Sequence, residues 1–282
     1  MVRRRQLGAA LRQLRSNARM TIKEVAEELQ VHPAKISRLE KAQRNISVPD
    51  VLALLNLYGV TESITQERLV KLARENRQSA WWDRFDLSPP LEKYIGLEGS
   101  ANKISDYQLL VPGLLQTRRY TAAVLDAFSK FDRLQKEEAI DLRSMRQEML
   151  NPDTVLDVVM DETAVRRVVG GRDVMKEQME HLIQVAASAD SFCDVRIQIV
   201  PFTGGAHPGI MSGFTVLQFD GAASDSSGLS DVVYIEGISD PVYLERPEDV
   251  SEYLTTFDAL RGRALSKADT IRLLRSVHQE LA

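Results

Sequence analysis

The 282-residue chain has one cysteine, Cys193. A lone thiol can form no intramolecular disulfide and cannot supply a cysteine-based zinc site. This fits a reducing compartment, and a cytoplasmic protein is expected. There are four histidines, His32, His181, His207 and His278, and none falls in an HExxH or HxxxH arrangement. The carboxylates show no metal-loop spacing, and no GxSxG elbow is present. Gly204-Gly205-Ala206-His207-Pro208-Gly209 is glycine-rich, but it lacks the Lys-Ser/Thr of a P-loop and precedes a predicted strand. No enzyme, cofactor or metal is therefore expected. No apolar run approaches the roughly 20 residues that span a bilayer. Arg3-Arg4-Arg5 leads into an amphipathic stretch without the apolar core of a secretory signal, so no membrane association is expected.

What is present is an ordinary globular composition, 44% hydrophobic and 27% charged, at a length that suggests about two domains. The net charge of -4 comes from 36 basic and 40 acidic residues, but they are unevenly placed. Residues 1–78 hold 15 Lys+Arg against 8 Asp+Glu, a local charge of +7, whereas the remaining 204 residues carry -11. Such asymmetry signals an interaction with a polyanion or a solvated helix face, and the residue pattern distinguishes the two.

Leu7, Ala10, Leu11 and Leu14 follow the i, i+3, i+4, i+7 spacing of an amphipathic helix. Ile22, Val25, Ala26 and Leu29 repeat it, as do Val51, Leu54, Leu55 and Tyr58. Thr21 with Glu24 three residues on is a capping box, Pro33 suits the first turn of the next helix, and Ser47 with Pro49 and Asp50 opens a fourth that Gly59 ends. A fifth is predicted over Ser63–Gln78. Only Gln30, Val31 and His32 separate the second and third, the layout of a helix-turn-helix whose second helix enters the major groove. Ile36 and Leu39 supply its buried stripe. Ala34, Lys35, Ser37, Arg38 and Lys41 lie opposite and are of the kinds that read base edges and phosphates.

On these residues the chain resembles the XRE (phage-repressor-like) helix-turn-helix family. Thr21-Ile22-Lys23-Glu24-Val25-Ala26, Lys35-Ile36-Ser37-Arg38-Leu39-Glu40 and the run Val51–Val60 match its pattern in order and spacing over about residues 6–76. Two departures stand out. Gln30 and Ala42 occupy places where the family often has glycine, and a positive φ there strains a side chain. Pro33 sits where many relatives place a hydrogen-bonding residue. The resemblance implies a dimer on a palindromic double-stranded DNA operator, with Thr21, His32, Ala34, Lys35, Ser37, Arg38, Lys41 and Arg44 at the interface. Glu40 is expected to brace the fold beside Arg44. Arg3–Arg5 read either as an arm on DNA or as a soluble tail.

The domains expected are thus 1–78, an all-α five-helix module, and 79–282, a mixed α+β module, which makes the chain α+β overall. Trp81 and Trp82 are the only tryptophans. They suit packing at a junction, and alternatively stacking on a ligand. Beyond Ser88-Pro89-Pro90, helices are predicted at Leu91–Ala101, Arg118–Phe128, Gln135–Leu150, Glu162–Val168, Asp173–Ala189, Pro247–Leu260 and Lys267–Leu281. Strands are predicted at Val155–Met160, Val195–Val200, Phe214–Phe219, Val232–Ile235 and Val242–Glu245. Phe214–Phe219 and Val232–Ile235 are expected to pair antiparallel across a long loop. Cys193 reads as a small buried residue, His181 as surface or interface, and His207 as a loop histidine or a ligand or pH sensor.

Val111-Pro112-Gly113-Leu114-Leu115-Gln116-Thr117 with Tyr120 resembles the hallmark of a C-terminal domain found in actinobacterial XRE regulators. Supporting matches are Trp81-Trp82, Leu97–Ala101, Arg143 with Arg146-Gln147, Gly170-Gly171, and His207 with Gly213-Phe214. This resemblance implies a homodimer and control by a small acidic protein encoded nearby, antitoxin-like in character. A small-molecule effector is the alternative. The residues themselves read mainly as structural, Pro112-Gly113 as a turn and Gln116-Thr117 as a helix cap. Trp81, Trp82, Gln116, Tyr120 and His207 are the candidate partner or effector residues.

Overall fold

The computed structural model describes residues 2–75, 80–127, 132–188, 193–219 and 230–281, with the side chains of residues 2, 3, 5, 6, 64 and 75 outside that description. The chain divides into two compact units, Met1–Ser100 with Phe219–Asp231, and Ala101–Gln218 with Val232–Ala282. The boundary expected after residue 78 lies outside the described residues, as do the Arg3 and Arg5 side chains.

In the first unit, α1 (Val2–Asn17), α2 (Ile22–Glu28), α3 (Pro33–Glu40), α4 (Val48–Leu57) and α5 (Ser63–Glu75) follow the expected order. The apolar stripes of all five converge on one core built around Leu7, Leu11, Val25, Ile36, Leu39, Ile46, Leu55 and Leu69. The caps form from local chemistry. Thr21 and Glu24 make the reciprocal box, the Glu24 N–H donating to Thr21 Oγ1 at 3.2 Å and the Thr21 N–H to Glu24 Oε2 at 2.7 Å. Ser47 Oγ accepts from the Asp50 N–H at the start of α4.

Several helices end in a left-handed residue. Arg19, Gln30, Ala42 and Gly59 have φ of +56°, +52°, +56° and +69°. After α2 the Val31 N–H reaches back to the Ala26 carbonyl and the Gln30 N–H to that of Glu27. After α3 the pairs are Gln43 to Arg38 and Ala42 to Leu39. This is the Schellman closure, which favours glycine because a Cβ crowds the left-handed backbone. Glycine is required instead at Gly8, where a Cβ would lie 2.7 Å from the Leu39 carbonyl oxygen, so α1 presses directly on the end of α3. A 3-10 turn, Trp81–Arg84, and α6 (Pro89–Glu98) complete the unit.

The second unit is a six-stranded mixed sheet in the order β3-β2-β1-β4-β5-β6. The strands are β1 (Lys103–Gln108), β2 (Val155–Asp161), β3 (Asp194–Val200), β4 (Phe214–Gln218), β5 (Val232–Ile235) and β6 (Val242–Leu244). β1, β2 and β3 run parallel, and β1, β4, β5 and β6 pair antiparallel in turn, so β4 and β5 pair as expected. Parallel neighbours need crossovers. α7 (Arg118–Ala127) and α8 (Arg133–Glu148) connect β1 to β2, and α9 (Thr163–Arg166) and α10 (Arg172–Ala187) lie between β2 and β3. α11 (Pro247–Arg263) and α12 (Lys267–Glu280) close the chain. α11 covers one face of the sheet, where Tyr107, Val159, Val200, Phe214, Val216 and Val233 meet Val250, Phe257 and Leu260.

Two sequence expectations change. β1 was not expected, although it is the central strand. The helix expected over Glu162–Val168 is one turn, Thr163–Arg166, followed by Gly170 and Gly171 at φ of +71° and +93°. Phe128, Ala189 and residues 76–78 of the expected helices lie outside the described residues.

Candidate functional site

On α3 the buried Ile36 and Leu39 set the orientation of everything else. Ala34, Ser37, Arg38 and Lys41 stand at i, i+3, i+4 and i+7 and form one stripe that points away from that core. Arg38 and Lys41 are exposed, and Arg38 Nε donates to the Ala34 carbonyl at 3.1 Å, which lays the guanidinium along the helix. Arg44 is exposed just beyond the helix end. The helix therefore presents two small residues, one of them bearing a hydroxyl, flanked by cations, a surface able to approach a groove closely while meeting phosphates at its edges.

The remaining sequence-derived residues carry structural duties as well. Thr21 is the N-cap of α2, and His32 is the N-cap of α3, its Nδ1 accepting from the Ala34 N–H at 3.2 Å. That bond requires Nδ1 to be unprotonated. Both residues are exposed at the start of a helix. Lys35 lies off the stripe, where its Nζ meets Asp50 Oδ1 at 2.7 Å. Burial raises the Asp50 pKa, but hydrogen bonds from Lys35 and Ser47 outweigh it and hold the carboxyl below its ordinary value. Lys35 thus ties α3 to the start of α4 instead of standing free.

Glu40 does brace the fold, but not with Arg44. Its carboxylate pairs with Arg15 of α1, Nε to Oε1 at 2.7 Å and Nη2 to Oε2 at 3.0 Å, with side chains 13% and 5% exposed. Arg15 Nη1 also donates to the Met20 carbonyl. The hydrogen bond with Glu40 is the chief cause that raises the Arg15 pKa. Tyr58 is buried nearby, and desolvation with the Glu40 charge pushes its phenol up.

Trp81 and Trp82 meet edge to face at 5.4 Å, Trp81 meets Phe85 likewise at 6.4 Å, and Arg84 lies 4.8 Å from the Phe85 ring centre. This is a compact aromatic cluster, with the tryptophans partly exposed.

In the second unit the residues 111–117 form a polar knot. Gln116 is buried; its Nε2 donates to the Val111 carbonyl at 2.7 Å, and its Oε1 accepts from Thr121 and, at 2.6 Å, from Arg143. Gln147 Nε2 donates to the carbonyls of Gly113 and Gln116. Gln178 accepts from the Thr117 N–H and donates to the Leu115 carbonyl. Thr117 Oγ1 caps α7 by accepting from the Tyr120 N–H. Tyr120 is fully buried beside Val111, and burial pushes its phenol up to about 12. The structure thus gathers Gln116, Arg143 and Gln147, residues far apart in sequence, around one turn, and the knot satisfies backbone groups that the irregular segment leaves open.

His207 is not a solvated loop residue. Its side chain is 4% exposed, its Nε2 lies 3.3 Å from Asp161 Oδ2, and its ring meets Tyr107 edge to face at 6.1 Å. Asp161 Oδ1 is occupied by the backbone N–H and hydroxyl of Thr163. His207 Nδ1 and the Tyr107 hydroxyl are buried without a hydrogen-bond partner among the described residues. Burial, then the Asp161 charge, push the Tyr107 phenol up. Next to this cluster Glu162 is buried and accepts from Arg166 Nε and the Phe202 N–H. Asp161, Glu162 and Tyr107 went unnoticed in the sequence; the one available signal was an acidic pair closing an apolar strand. Cys193 is buried as expected, and burial raises its thiol to about 11. No group of three or more His, Cys, Asp or Glu suited to a metal occurs among the described residues. No described helix is long and apolar enough to cross a membrane.

An exposed basic and small-residue stripe on the second helix of a tight helix pair defines a DNA-binding regulator of the helix-turn-helix class, and residues 6–67 match the family described as "Helix-turn-helix domain". Residues 91–276 match "Domain of unknown function (DUF5753)", and the chain belongs to that family. No curated protein matches the chain, and no solved structure does.

Proposed function

We propose that the chain is a sequence-specific transcriptional regulator that binds a palindromic operator as a homodimer. The α3 stripe Ala34–Ser37–Arg38–Lys41, turned away from the core by Ile36 and Leu39, carries this reading. The helix docks in the major groove with Ala34 and Ser37 against base edges, Arg38 reading a base or a phosphate, and Lys41 and Arg44 on the backbone. Half-sites then lie one helical turn apart, roughly 34–36 Å, or a multiple of that. Arg38→Ala with Lys41→Ala should weaken operator binding by about 1–3 kcal/mol and flatten its salt dependence. Unchanged affinity and salt slope in a binding titration would overturn the assignment of this face.

The second domain, on this reading, acts by binding and not by catalysis, and a small acidic protein is its controlling partner. The support is a set of exposed apolar side chains on the loops at the carboxyl end of the parallel strands. Val168, Phe202, Ile210, Met211 and Ile238 are 57%, 55%, 51%, 89% and 94% exposed, a pattern that marks protein-binding surfaces. Arg167 and Arg172 are exposed on either side of Val168 and suit an acidic partner. Genome-wide DNA capture with the purified chain, with and without the small acidic protein, tests both halves; identical capture in the two arms rejects that partner. A small-molecule effector is the second reading, favoured by the unpartnered buried atoms of His207 and Tyr107.

A further inference from the structure

β3 is an edge strand, because it pairs with β2 on one side only. The Val200 carbonyl accepts from Glu162 at the end of β2, whereas the Ile199 carbonyl accepts from the Leu265 N–H on the opposite side. Backbone groups alternate sides along a strand. The N–H and C=O groups of Val195 and Ile197 therefore face away from β2, in the same direction as those of Ile199. Among the described residues, only Ile199 has a backbone partner on that side. Beside the other two runs an open cavity of about 540 Å³ whose lining includes Ala186, Ser188, Cys193 and Lys267. An uncovered strand edge of this kind is a template for another strand.

The side chains on this edge select the strand that fits. Asp194 and Arg196 are exposed and point to one face of the sheet, where they pair with each other at 2.7 Å. An antiparallel second copy can hydrogen-bond only in registers that set outward-facing residues opposite one another. Centring the two-fold axis on Arg196 puts two arginines face to face, and centring it on Asp194 does the same for two aspartates. Centring it on Ile197 brings Val195 against Ile199, whose carbonyl Leu265 already holds. Centring it on Val195 avoids these conflicts among the described residues, with the ladder running from Cys193 to Ile197. Val195 then faces Val195, Cys193 faces Ile197, and Asp194 of each copy stands opposite Arg196 of the other. Opposite charges directly across a ladder stabilise it, and like charges destabilise it.

We propose that two copies of the chain associate through β3, antiparallel about Val195, to form one continuous twelve-stranded sheet. This assigns the interface of the homodimer in the regulator reading above and rests on that reading. The test uses the full chain and two charge variants, Asp194→Arg and Arg196→Asp, with molar mass followed by analytical ultracentrifugation. Each variant alone sets like charges opposite and breaks the Asp194–Arg196 pair within its own chain. Mixed, they restore both cross-strand pairs but not the pair within either chain. The expected result is a dimeric native chain, each variant dissociating at concentrations at least tenfold higher, and recovery of dimer on mixing. Unchanged circular dichroism and Tm show that the variants fold. A second readout is register-specific. Val195→Cys with Cys193→Ser should form a disulfide-linked dimer on oxidation, because the central pair is about 5.5 Å apart at Cα. Ile197→Cys should link to the native Cys193 of the other copy and lose that link when Cys193→Ser is added. A native chain that is monomeric at every concentration overturns the dimer itself. A native dimer that is indifferent to the charge variants and to register overturns only the β3 interface.

Discussion

The Arg15 guanidinium grips the Glu40 carboxylate with two parallel hydrogen bonds, and so fastens the first helix to the last turn of α3, the helix that carries the exposed basic stripe. Gly8 lies on the same side of α1, against the Leu39 and Glu40 carbonyls. Position and tilt of α3 therefore depend on a pair of residues that need not touch DNA. Removing one partner leaves a nearly buried charge alone, and such losses cost about 3–5 kcal/mol. Glu40→Ala should lower the unfolding free energy of the helical module by about 3 kcal/mol, whereas Arg44→Ala, at an exposed position, should change it by less than about 0.5 kcal/mol. Urea unfolding followed by circular dichroism separates the two.

Gln30 and Ala42 hold left-handed conformations that glycine adopts without strain. The strain is real but small against the closure it permits, which satisfies carbonyls at the ends of α2 and α3. Gln30→Gly and Ala42→Gly should each stabilise the module by about 0.5–1 kcal/mol, and Ala42→Val should destabilise it. Thermal melts of the three variants check the sign.

Lys35 is committed to Asp50 rather than to solvent. Both side chains are 29% exposed, so the pair belongs near the upper end of the surface range, about 1 kcal/mol. Lys35→Met should lower stability by about that amount or less and leave the salt slope of DNA binding close to native. A drop in the slope by about one would show that Lys35 lets go of Asp50 and takes a phosphate. Parallel titrations over a range of salt concentrations measure this.

His181, on α10, has its pKa lowered by burial, with the Glu177 charge opposing. The folded chain therefore binds that proton less readily than the unfolded chain. Its neutral form favours folding at pH above the ordinary histidine value of about 6.5. As pH falls below that value the unfolded state takes up the proton first, and stability declines until the depressed folded value is passed. His181→Gln should remove this part of the acid sensitivity. Tm measured between pH 5 and 8 for the two chains gives the difference, and identical profiles would refute the assignment.

Most of the helical module was legible in the sequence because its determinants are local. The stripes of α1 to α4, the Thr21–Glu24 box, Pro33 at the start of α3 and Ser47 before α4 all act within one or two turns. The outlying glycine positions were legible too, since Gln30 and Ala42 stand where a left-handed residue is needed. In the second unit the strands Val155–Asp161 and Val232–Ile235 announce themselves through β-branched runs. Lys103–Gln108 does not, because Ser105 and Asp106 interrupt its pattern. That strand is held by β2 and β4, on either side of it, and no local preference reveals neighbours so distant in the chain.

The sequence by itself determined the helix-turn-helix, the charge division between the head and the rest of the chain, and the mixed α+β class of the second unit. All three follow from periodicity, capping and composition, which act over short stretches. Only the tertiary structure decided that Glu40 pairs with Arg15 and Lys35 with Asp50. It alone gathers Gln116, Arg143 and Gln147 at one turn, and places His207 under Tyr107 and beside Asp161. Charged and polar side chains pair with whatever the packing of apolar faces brings within reach. That packing is a property of the whole chain and of no short segment of it.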